Sequence, residues 1–232
     1  MERGLPNRNP AEHAEARAVA RLRVGVLISG RGSNLRALIE AAAEPAYPAE
    51  IALVISNRSD AAGLQRAAEA GVPHEIVAKP DRAAFAAAAD RALREHRIEL
   101  VALAGFMRLL DTGFVEAWRD RMVNIHPSLL PAFPGLHPQR QALAAGARFS
   151  GCTVHFVRPE MDTGPIIAQA VVPVHDDDDE ERLSARILAA EHRLYPLAVR
   201  LHAEKRLRID GNRVEVIGGT APELTALNPS DR

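Results

Sequence analysis

Short apolar runs alternate with alanine-rich amphipathic stretches along the first half of the chain. The apolar runs predict buried strands at residues 23–29, 50–56, 74–78, 99–105 and 121–125. The stretches between them predict helices at residues 33–43, 61–71 and 82–96. Ser33 begins the first helix, Gly71 closes the second, and Asp81 is placed to cap the third. Strands that alternate with helices in this way favour a parallel, doubly wound sheet.

The pattern changes after residue 125. Residues 151–157 and 166–174 predict two strands joined by a loop of Pro, Gly and Asp residues. A long helix is expected from about residue 180 to 205, and Pro196 is expected to kink or break it. Residues 206–217 predict a hairpin with its turn at 210–212. The predicted fold class is therefore α/β, with a mostly parallel central sheet flanked by helices, antiparallel C-terminal strands and a terminal hairpin.

The termini differ from the rest of the chain in being polar. We predict a mobile tail at residues 1–21, a single domain at 22–217, and a C-terminal tail at 218–232. The N-terminus lacks the apolar core of a signal peptide, and no stretch approaches the roughly 20 apolar residues of a membrane span. The expected location is cytoplasmic.

Composition narrows the choice of partners. Apolar residues make up 47% of the 232 residues, which is enough for a large core. The net charge of −1 gives no reason to expect a nucleic acid or an anionic membrane as partner. The single cysteine, Cys152, excludes an internal disulfide framework and a cysteine-rich zinc site.

The segment SGRGSN at residues 29–34 lies between the first predicted strand and the first predicted helix. Its two glycines permit a tight turn, and the helix N-terminus favours an anion such as a phosphate, to which Ser33 and Asn34 can add hydrogen bonds. A dinucleotide is not indicated, because Leu35 stands where the third glycine of that motif would fall. A monophosphate on a smaller ligand is favoured, and a plain tight turn is the alternative.

Asn124 and His126 stand two positions apart at the end of the fifth predicted strand, so their side chains share one face. An amide and an imidazole side by side can donate hydrogen bonds to an oxygen that becomes negative, which is oxyanion-site chemistry. Asp162, in a loop between strands, would orient His126 and favour its charged form. The alternatives are a structural His–Asn pair and an aspartate that supports a turn. Four prolines in residues 123–143 predict irregular backbone there, without a helix.

No covalent nucleophile or metal cluster accompanies these groups in the sequence. Cys152 is predicted to be a strand residue, and neither G-x-S-x-G nor HExxH occurs. The acidic run HDDDDEERL at residues 175–183 would allow a metal site, but favourable charges at the N-terminus of the long helix are the simpler interpretation. No metal is expected.

Six segments taken together resemble one family. They are LISGRGSNL, VALAGFMRLL, NIHPSLLPAFPGLHPQRQAL, GCTVHFV, MDTGPIIAQ and EHRLYP, in this order within residues 23–217. NIHPSLLP is typical of the wider formyltransferase superfamily, and its combination with PGLH and EHRLYP is similar to the folate-dependent phosphoribosylglycinamide formyltransferases. The resemblance implies a Rossmann-like formyltransferase fold. It also implies transfer of a formyl group from 10-formyltetrahydrofolate to the amine of glycinamide ribonucleotide, a step of de novo purine synthesis.

The same resemblance implies roles for individual residues. The ribonucleotide would contact Gly32, Ser33 and Asn34 through its phosphate, and Glu191 would face its glycyl amine. Catalysis would rest on Asn124, His126 and Asp162. The folate side would comprise Arg82, Met107, Arg108, Leu109, Leu110, Asn124, Arg158, Pro159, Glu160, Met161 and Asp162. Residues 22–121 would then be the ribonucleotide-phosphate-binding half of the domain, and residues 122–217 the catalytic and folate-binding half.

Three alternatives stay open beside this interpretation. Methionyl-tRNA formyltransferases share the chemistry but normally add a C-terminal nucleic-acid-binding domain, and formyltetrahydrofolate deformylases add an N-terminal regulatory domain. The chain is expected to have room for neither. The third alternative is a non-catalytic nucleotide-binding module. The expected partners are the two small-molecule substrates, with no nucleic acid and no membrane, in a monomer or homodimer.

Overall fold

A computed structural model of the chain describes residues 20–220, 223 and 226–228. The predicted tails at 1–21 and 218–232 therefore lie largely outside the described residues. Nine strands occur in the part described: β1 (Leu22–Ile28), β2 (Ala49–Ser56), β3 (His74–Ile76), β4 (Leu100–Leu103), β5 (Met122–His126), β6 (Phe149–Phe156), β7 (Ile166–Pro173), β8 (Leu207–Asp210) and β9 (Arg213–Val216).

The first seven strands form one sheet in the order β3-β2-β1-β4-β5-β6-β7. Neighbours are parallel from β3 to β5, whereas β6 and β7 are added in antiparallel fashion. The strands β8 and β9 pair separately as an antiparallel hairpin. The α/β prediction, with a mostly parallel sheet and antiparallel C-terminal strands, is confirmed. The predicted division between residues 121 and 122 stays a prediction.

Six helices accompany the strands in the described residues: α1 (Ser33–Ala43), α2 (Ala62–Glu69), α3 (Arg82–Glu95), α4 (Thr112–Ala117), α5 (Pro138–Ala144) and α6 (Glu180–Ala203). Asp81 caps α3 as predicted, since its carboxylate accepts a hydrogen bond from the N–H of Ala84 at 2.8 Å. Gly71 follows α2 in the left-handed conformation, with φ at +68°, as a helix-closing glycine does. None of the helices in the described part of the chain is long and apolar enough to cross a membrane.

Two short helices were not predicted. Asp111 starts α4, because its carboxylate accepts the N–H of Phe114 at 3.2 Å. The helix α5 begins at Pro138, so the expectation that the prolines exclude a helix from residues 123–143 is wrong at this point. A proline is tolerated in the first helical turn, where its missing N–H would have no partner within the helix. The preceding residues 128–135 are irregular, as predicted.

The sheet is buried on both faces. Val24, Val26 and Ile28 of β1 pack in a cluster with α1 and α6. Leu27, between them in sequence, packs on the other face with Phe85 of α3 and with Trp118. Apolar residues throughout a strand are typical of a parallel sheet that is covered by helices on both sides.

The helix α6 continues through Pro196, so the alternative that this proline breaks it is wrong. The carbonyl of Pro196 accepts a hydrogen bond from the Tyr47 hydroxyl at 2.7 Å. The hydroxyl of Tyr195, which is fully buried, lies 3.0 Å from the carbonyl oxygen of Leu103 and 3.2 Å from that of Val123. One side chain of α6 thereby contacts the backbone of both β4 and β5.

Candidate active site

Three loops leave the same edge of the sheet side by side. Leu27 of β1 is in register with Leu103 of β4, which is in register with Asn124 of β5. Neighbouring strands lie about 4.8 Å apart, so the segments that follow β1 and β5 emerge roughly 10 Å from each other. Ligands of open α/β sheets bind beyond such carboxyl ends. The predicted phosphate loop and the Asn124–His126 pair therefore belong to one cleft region.

The loop at residues 29–34 is pressed against α2. Gly32 has a φ of +69°, and a Cβ atom added to it would lie 2.6 Å from the Cα of Gly63. The N–H of Gly63 donates to the carbonyl of Gly30 at 3.0 Å, and Arg66 donates from Nε to the carbonyl of Arg31 at 3.0 Å. The sequence pattern does not single out Gly63 and Arg66, because both belong to an ordinary amphipathic helix pattern.

Asn34 and Glu191 were both predicted to contact a ribonucleotide. Asn34 lies on α1 and Glu191 on α6, and the two side chains are in contact. The Asn34 amide donates to Glu191 Oε2 at 2.7 Å, and the two residues are 7% and 6% exposed. Burial raises the pKa of the Glu191 carboxyl to about 7, against the opposing effect of the Asn34 hydrogen bond. The Oδ1 atom of Asn34 is buried without a hydrogen-bond partner among the described residues. An unpartnered buried acceptor at this position is suited to a ligand donor.

His126 and Asp162 form a buried pair. Their Nδ1 and Oδ2 atoms are 3.6 Å apart, and their side chains are 8% and 9% exposed. The same Oδ2 atom accepts the backbone N–H of Gly135 at 2.8 Å. Asp162 has a φ of +57°, a conformation that is costly for a residue with a side chain and that recurs at functional sites. The loop thus turns sharply to bring this carboxylate to the histidine.

The ring orientation of His126 follows from its second contact. Its Nε2 atom lies 3.0 Å from the carbonyl oxygen of Phe133, which can only accept, so Nε2 carries a proton. Its Nδ1 atom faces the Asp162 carboxylate, where a second proton would make an ion pair. Both nitrogens therefore contact protein groups. Donation from His126 to a substrate oxygen requires that Nε2 exchanges the Phe133 carbonyl for that oxygen.

His155 is a fourth member of this cluster, and it was not predicted from the sequence. It lies opposite Asn124 in the antiparallel pair of β5 and β6. Its Nδ1 donates to the carbonyl of Phe156 at 3.0 Å, and burial lowers its pKa, so the ring is neutral with a free lone pair on Nε2. That lone pair accepts from the Asn124 amide nitrogen at 3.3 Å. The interaction fixes which way the Asn124 amide points and leaves its second N–H available.

The residues predicted to contact folate fall into two groups. Met107, Leu109 and Met161 expose apolar side chains, with 77%, 51% and 55% of their surface accessible, while Leu110 packs partly against the core. Pro159 and Glu160 are exposed in the loop that leads to Asp162. Of this group, Met161 lines the same cleft as Asp162.

The predicted folate-contacting arginines are engaged elsewhere or stand apart. Arg108 donates to the carbonyls of Lys79 and Pro80 and lies over the ring of Phe85. Arg158 pairs with Asp120 at 2.6 Å. Arg82 is an exposed first residue of α3. Among the described residues, none of these three guanidinium groups pairs with His126 or Asp162, although the charge of Arg158 contributes to lowering the pKa of His155.

Cavity size alone does not identify the site. A cleft of about 300 Å³ opens beside Asp162, between Pro131, Pro134 and Met161. A larger cleft of about 530 Å³ lies between β3 and α2, bordered by His74 and His96. The smaller cleft is the better candidate for the active site because Asp162 lines it. The buried carboxylate of Asp162 in turn contacts His126.

Acidic side chains of the run before α6 form hydrogen bonds and ion pairs with other groups of the protein. Asp179 accepts the N–H of Arg182 at 2.8 Å and so caps the helix. The guanidinium of Arg186 beside Asp178 lowers the pKa of that carboxyl to about 2. Within the described residues, no group of three or more His, Cys, Asp or Glu side chains is arranged to hold a metal ion.

Comparison with known proteins identifies the family of the chain. Residues 22–199 match the family model described as formyl transferase. The chain is 42% identical over 204 residues to the phosphoribosylglycinamide formyltransferase of Escherichia coli (strain K12), covering 87% of this chain and 96% of that protein. The solved structure of glycinamide ribonucleotide transformylase 1 from Symbiobacterium toebii superposes with a TM-score of 0.82 at 52% identity, covering 85% of this chain and 95% of that one.

A longer relative matches as well. The trifunctional purine biosynthetic protein adenosine-3 of Drosophila pseudoobscura pseudoobscura is 51% identical over 208 residues. The match covers 88% of this chain but only 15% of that protein's length. The predicted Rossmann-like formyltransferase fold is confirmed by these matches together with the sheet topology. The chain belongs to the formyl transferase family, and within it to the phosphoribosylglycinamide formyltransferases.

Proposed function

We propose that the protein transfers the formyl group of 10-formyltetrahydrofolate to the amine of glycinamide ribonucleotide. The products are formylglycinamide ribonucleotide and tetrahydrofolate, in a step of de novo purine synthesis. The names of the relatives support glycinamide ribonucleotide as the formyl acceptor, and the folate donor follows from the family resemblance. The observation that carries the proposal is the buried contact between His126 and Asp162, at 3.6 Å, with Asn124 two residues away on the same strand face.

The ribonucleotide side of the cleft is assigned to the loop after β1. Gly32, Ser33 and Asn34 bind the phosphate with backbone N–H groups and the N-terminus of α1, which favours an anion. The close packing of Gly32 on Gly63 supports this role, because it keeps the loop in one conformation before the ligand arrives. Glu191 and the free Oδ1 of Asn34 contact the rest of the ribonucleotide.

The folate side is assigned to segments 107–110 and 158–162. Backbone groups of residues 107–110 form hydrogen bonds with the pterin ring, and the exposed side chains of Met107, Leu109 and Met161 cover its faces. The burial of apolar surface by the ligand supplies most of the binding energy at such a site. Arg82 contacts the distal, charged end of the folate.

The reaction starts when the neutral amine of the ribonucleotide attacks the formyl carbon. The electron pair of the C=O bond moves to oxygen and gives a tetrahedral intermediate with a negative charge. The free N–H of Asn124 and the Nε2–H of His126 donate to this oxygen, and the Asp162 carboxylate orients the imidazole through its contact with Nδ1. The attacking nitrogen loses a proton and N10 of the folate gains one. The C–N10 bond then breaks as the carbonyl re-forms.

The test is release of tetrahydrofolate from 10-formyltetrahydrofolate by the purified protein, with and without glycinamide ribonucleotide. We expect release that depends on the ribonucleotide and is matched by formylated product in equal amount. Equal release without the ribonucleotide would instead identify a hydrolase. No release with either mixture, at protein concentrations that saturate the folate, would overturn the proposed transferase.

A further inference from the structure

The hydroxyl of Ser29 joins three segments that meet behind the cleft. Ser29 follows β1 directly and is 7% exposed. Its Oγ atom lies 2.7 Å from Oδ1 of Asn57, the residue that follows β2, and 2.9 Å from the backbone nitrogen of Met107. Met107 is the first residue of the segment assigned above to the pterin.

The direction of these hydrogen bonds is fixed by chemistry. The N–H of Met107 can only donate, so Ser29 Oγ must accept from it. The single hydroxyl proton of Ser29 is then free to donate to the Asn57 amide oxygen. Asn57 therefore orients the Ser29 hydroxyl, and the hydroxyl in turn holds the Met107 backbone. We call Ser29, Asn57 and the Met107 N–H the serine latch.

Met107 lies between two residues whose side chains are held by protein contacts, Phe106 by the ring of Phe85 and Arg108 by the carbonyls of Lys79 and Pro80. The side chain of Met107 is 77% exposed, so packing does little to hold this residue in place. Residues 104–111 lie between a strand that ends at Leu103 and a helix that begins at Thr112. A backbone hydrogen bond at the first residue of an exposed apolar segment fixes where the following peptide groups point.

We propose that Ser29 and Asn57 are positioning residues for folate binding, which act by holding the backbone of residues 107–110 in the orientation that receives the pterin. This inference rests on the proposed function. The role requires no contact of Ser29 with a substrate, and Ser29 is also the first residue of the phosphate loop at residues 29–34. One residue thereby supports both sides of the cleft, although the proposed chemistry of transfer is assigned to His126 and Asp162.

The experiment measures tetrahydrofolate binding by titration calorimetry to the full chain and to the variants Ser29→Ala and Asn57→Ala. Each variant breaks a partly buried hydrogen bond of the latch and frees the Met107 backbone, so we expect tetrahydrofolate to bind about 5- to 50-fold more weakly. Asn57→Asp keeps an acceptor oxygen for the Ser29 hydroxyl and should bind within about threefold of the wild type. The double variant Ser29→Ala/Asn57→Ala should lose less than the product of the single effects, because both act through one contact.

The matched control is Ser150→Ala. Ser150 is 2% exposed on β6, and its hydroxyl has no hydrogen-bond partner among the described residues. The Ser150→Ala variant should bind tetrahydrofolate with the affinity of the wild type. A second readout is hydrogen exchange at the Met107 amide, which Ser29→Ala should accelerate at least tenfold and Ser150→Ala should leave unchanged. General destabilisation would not single out this amide.

The outcomes separate this inference from the proposed function. A wild-type protein that binds tetrahydrofolate, together with a Ser29→Ala variant that binds it equally well, would overturn the positioning role. Unchanged exchange at the Met107 amide in that variant would overturn the latch itself. A wild-type protein that binds no tetrahydrofolate would overturn the proposed function, and this inference with it.

Discussion

Asn34 of α1 and Glu191 of α6 share a hydrogen bond of 2.7 Å although 157 positions separate them in the chain. The contact holds a carboxyl that is almost completely buried, and burial raises its pKa from 4.5 to about 7. The protonation state of Glu191 therefore changes near neutral pH. This has a consequence for stability that can be measured without any substrate.

The contribution of Glu191 to the unfolding free energy should fall as pH rises from about 4.5 to about 7. In that window the folded state retains the proton on Glu191 while the unfolded state releases it, so through this group each rise in pH favours unfolding. Buried histidines such as His155 and His202, whose pKa values burial lowers, contribute in the opposite direction, so the comparison is between the wild type and a Glu191 variant. Glu191→Gln removes the titration and should stabilise the protein at pH 8 by up to about 3 kcal/mol, with little effect at pH 4.5. Urea unfolding at both pH values measures the difference. The exposed Glu44→Gln is the control and should show no such pH dependence.

Loss of the His126–Asp162 pair should slow the reaction far more than it weakens folate binding. Removal of one oxyanion donor typically lowers kcat by about 10²–10³-fold. We expect losses of at least this size for His126→Ala and for Asp162→Asn in a tetrahydrofolate-release assay, with the dissociation constant of tetrahydrofolate changed less than about tenfold. Near-normal turnover in both variants would contradict the assigned catalytic roles.

The neutral ring of His155 should affect the reaction rate by orienting the amide of Asn124. His155→Leu removes the acceptor that fixes the Asn124 amide, and we expect kcat to fall about tenfold, as for a lost hydrogen bond to a catalytic donor. Combined with Asn124→Ala, the second change should add little, because both disturb one donor. His202→Leu is the control, since burial also lowers the pKa of that histidine but it packs edge-on against Phe156. Additive losses in the double variant would count against the coupling.

The close packing of Gly32 on α2 should govern ribonucleotide binding. Gly32→Ala places a Cβ atom 2.6 Å from the Cα of Gly63 and forces a left-handed alanine, so we expect KM for glycinamide ribonucleotide to rise at least tenfold. Gly71→Ala has the same backbone strain, with φ at +68°, but its Cβ would meet nothing within 4 Å. Both should lose about 1–3 kcal/mol of stability from strain, while only Gly32→Ala alters KM. Equal KM values in the two variants would refute the role of the contact.

Patterns that depend on neighbours in sequence were predictable from the chain. The apolar run of β1 and the Asp81 cap of α3 need only local information, and both are confirmed. The helices α4 and α5 were missed because each has fewer than two full turns and depends on a single starting residue, Asp111 or Pro138. Such short segments have almost no periodicity to detect.

The site residues that belong to sequence motifs were predictable. The site residues that are defined only by contacts between distant parts of the chain were not. Asn124, His126 and Asp162 were singled out from the sequence, and the first two lie on one strand as predicted. His155 stands among apolar residues of β6, so its pattern indicates core, and only the pairing of β5 with β6 reveals its contact with Asn124. The serine latch is equally nonlocal, because Ser29, Asn57 and Met107 follow three different strands.

Tyr195 gives α6 a fixed position along the sheet. Its hydroxyl is held between the carbonyls of Leu103 and Val123, one turn of helix beyond Glu191. A shift of α6 by one residue along the sheet would leave that buried hydroxyl without both acceptors. The helix is therefore fixed in one register relative to the sheet. The distance between Glu191 and the C-terminal end of β5 is thereby fixed. A substrate that contacts both Glu191 and Asn124 would have to match this fixed distance.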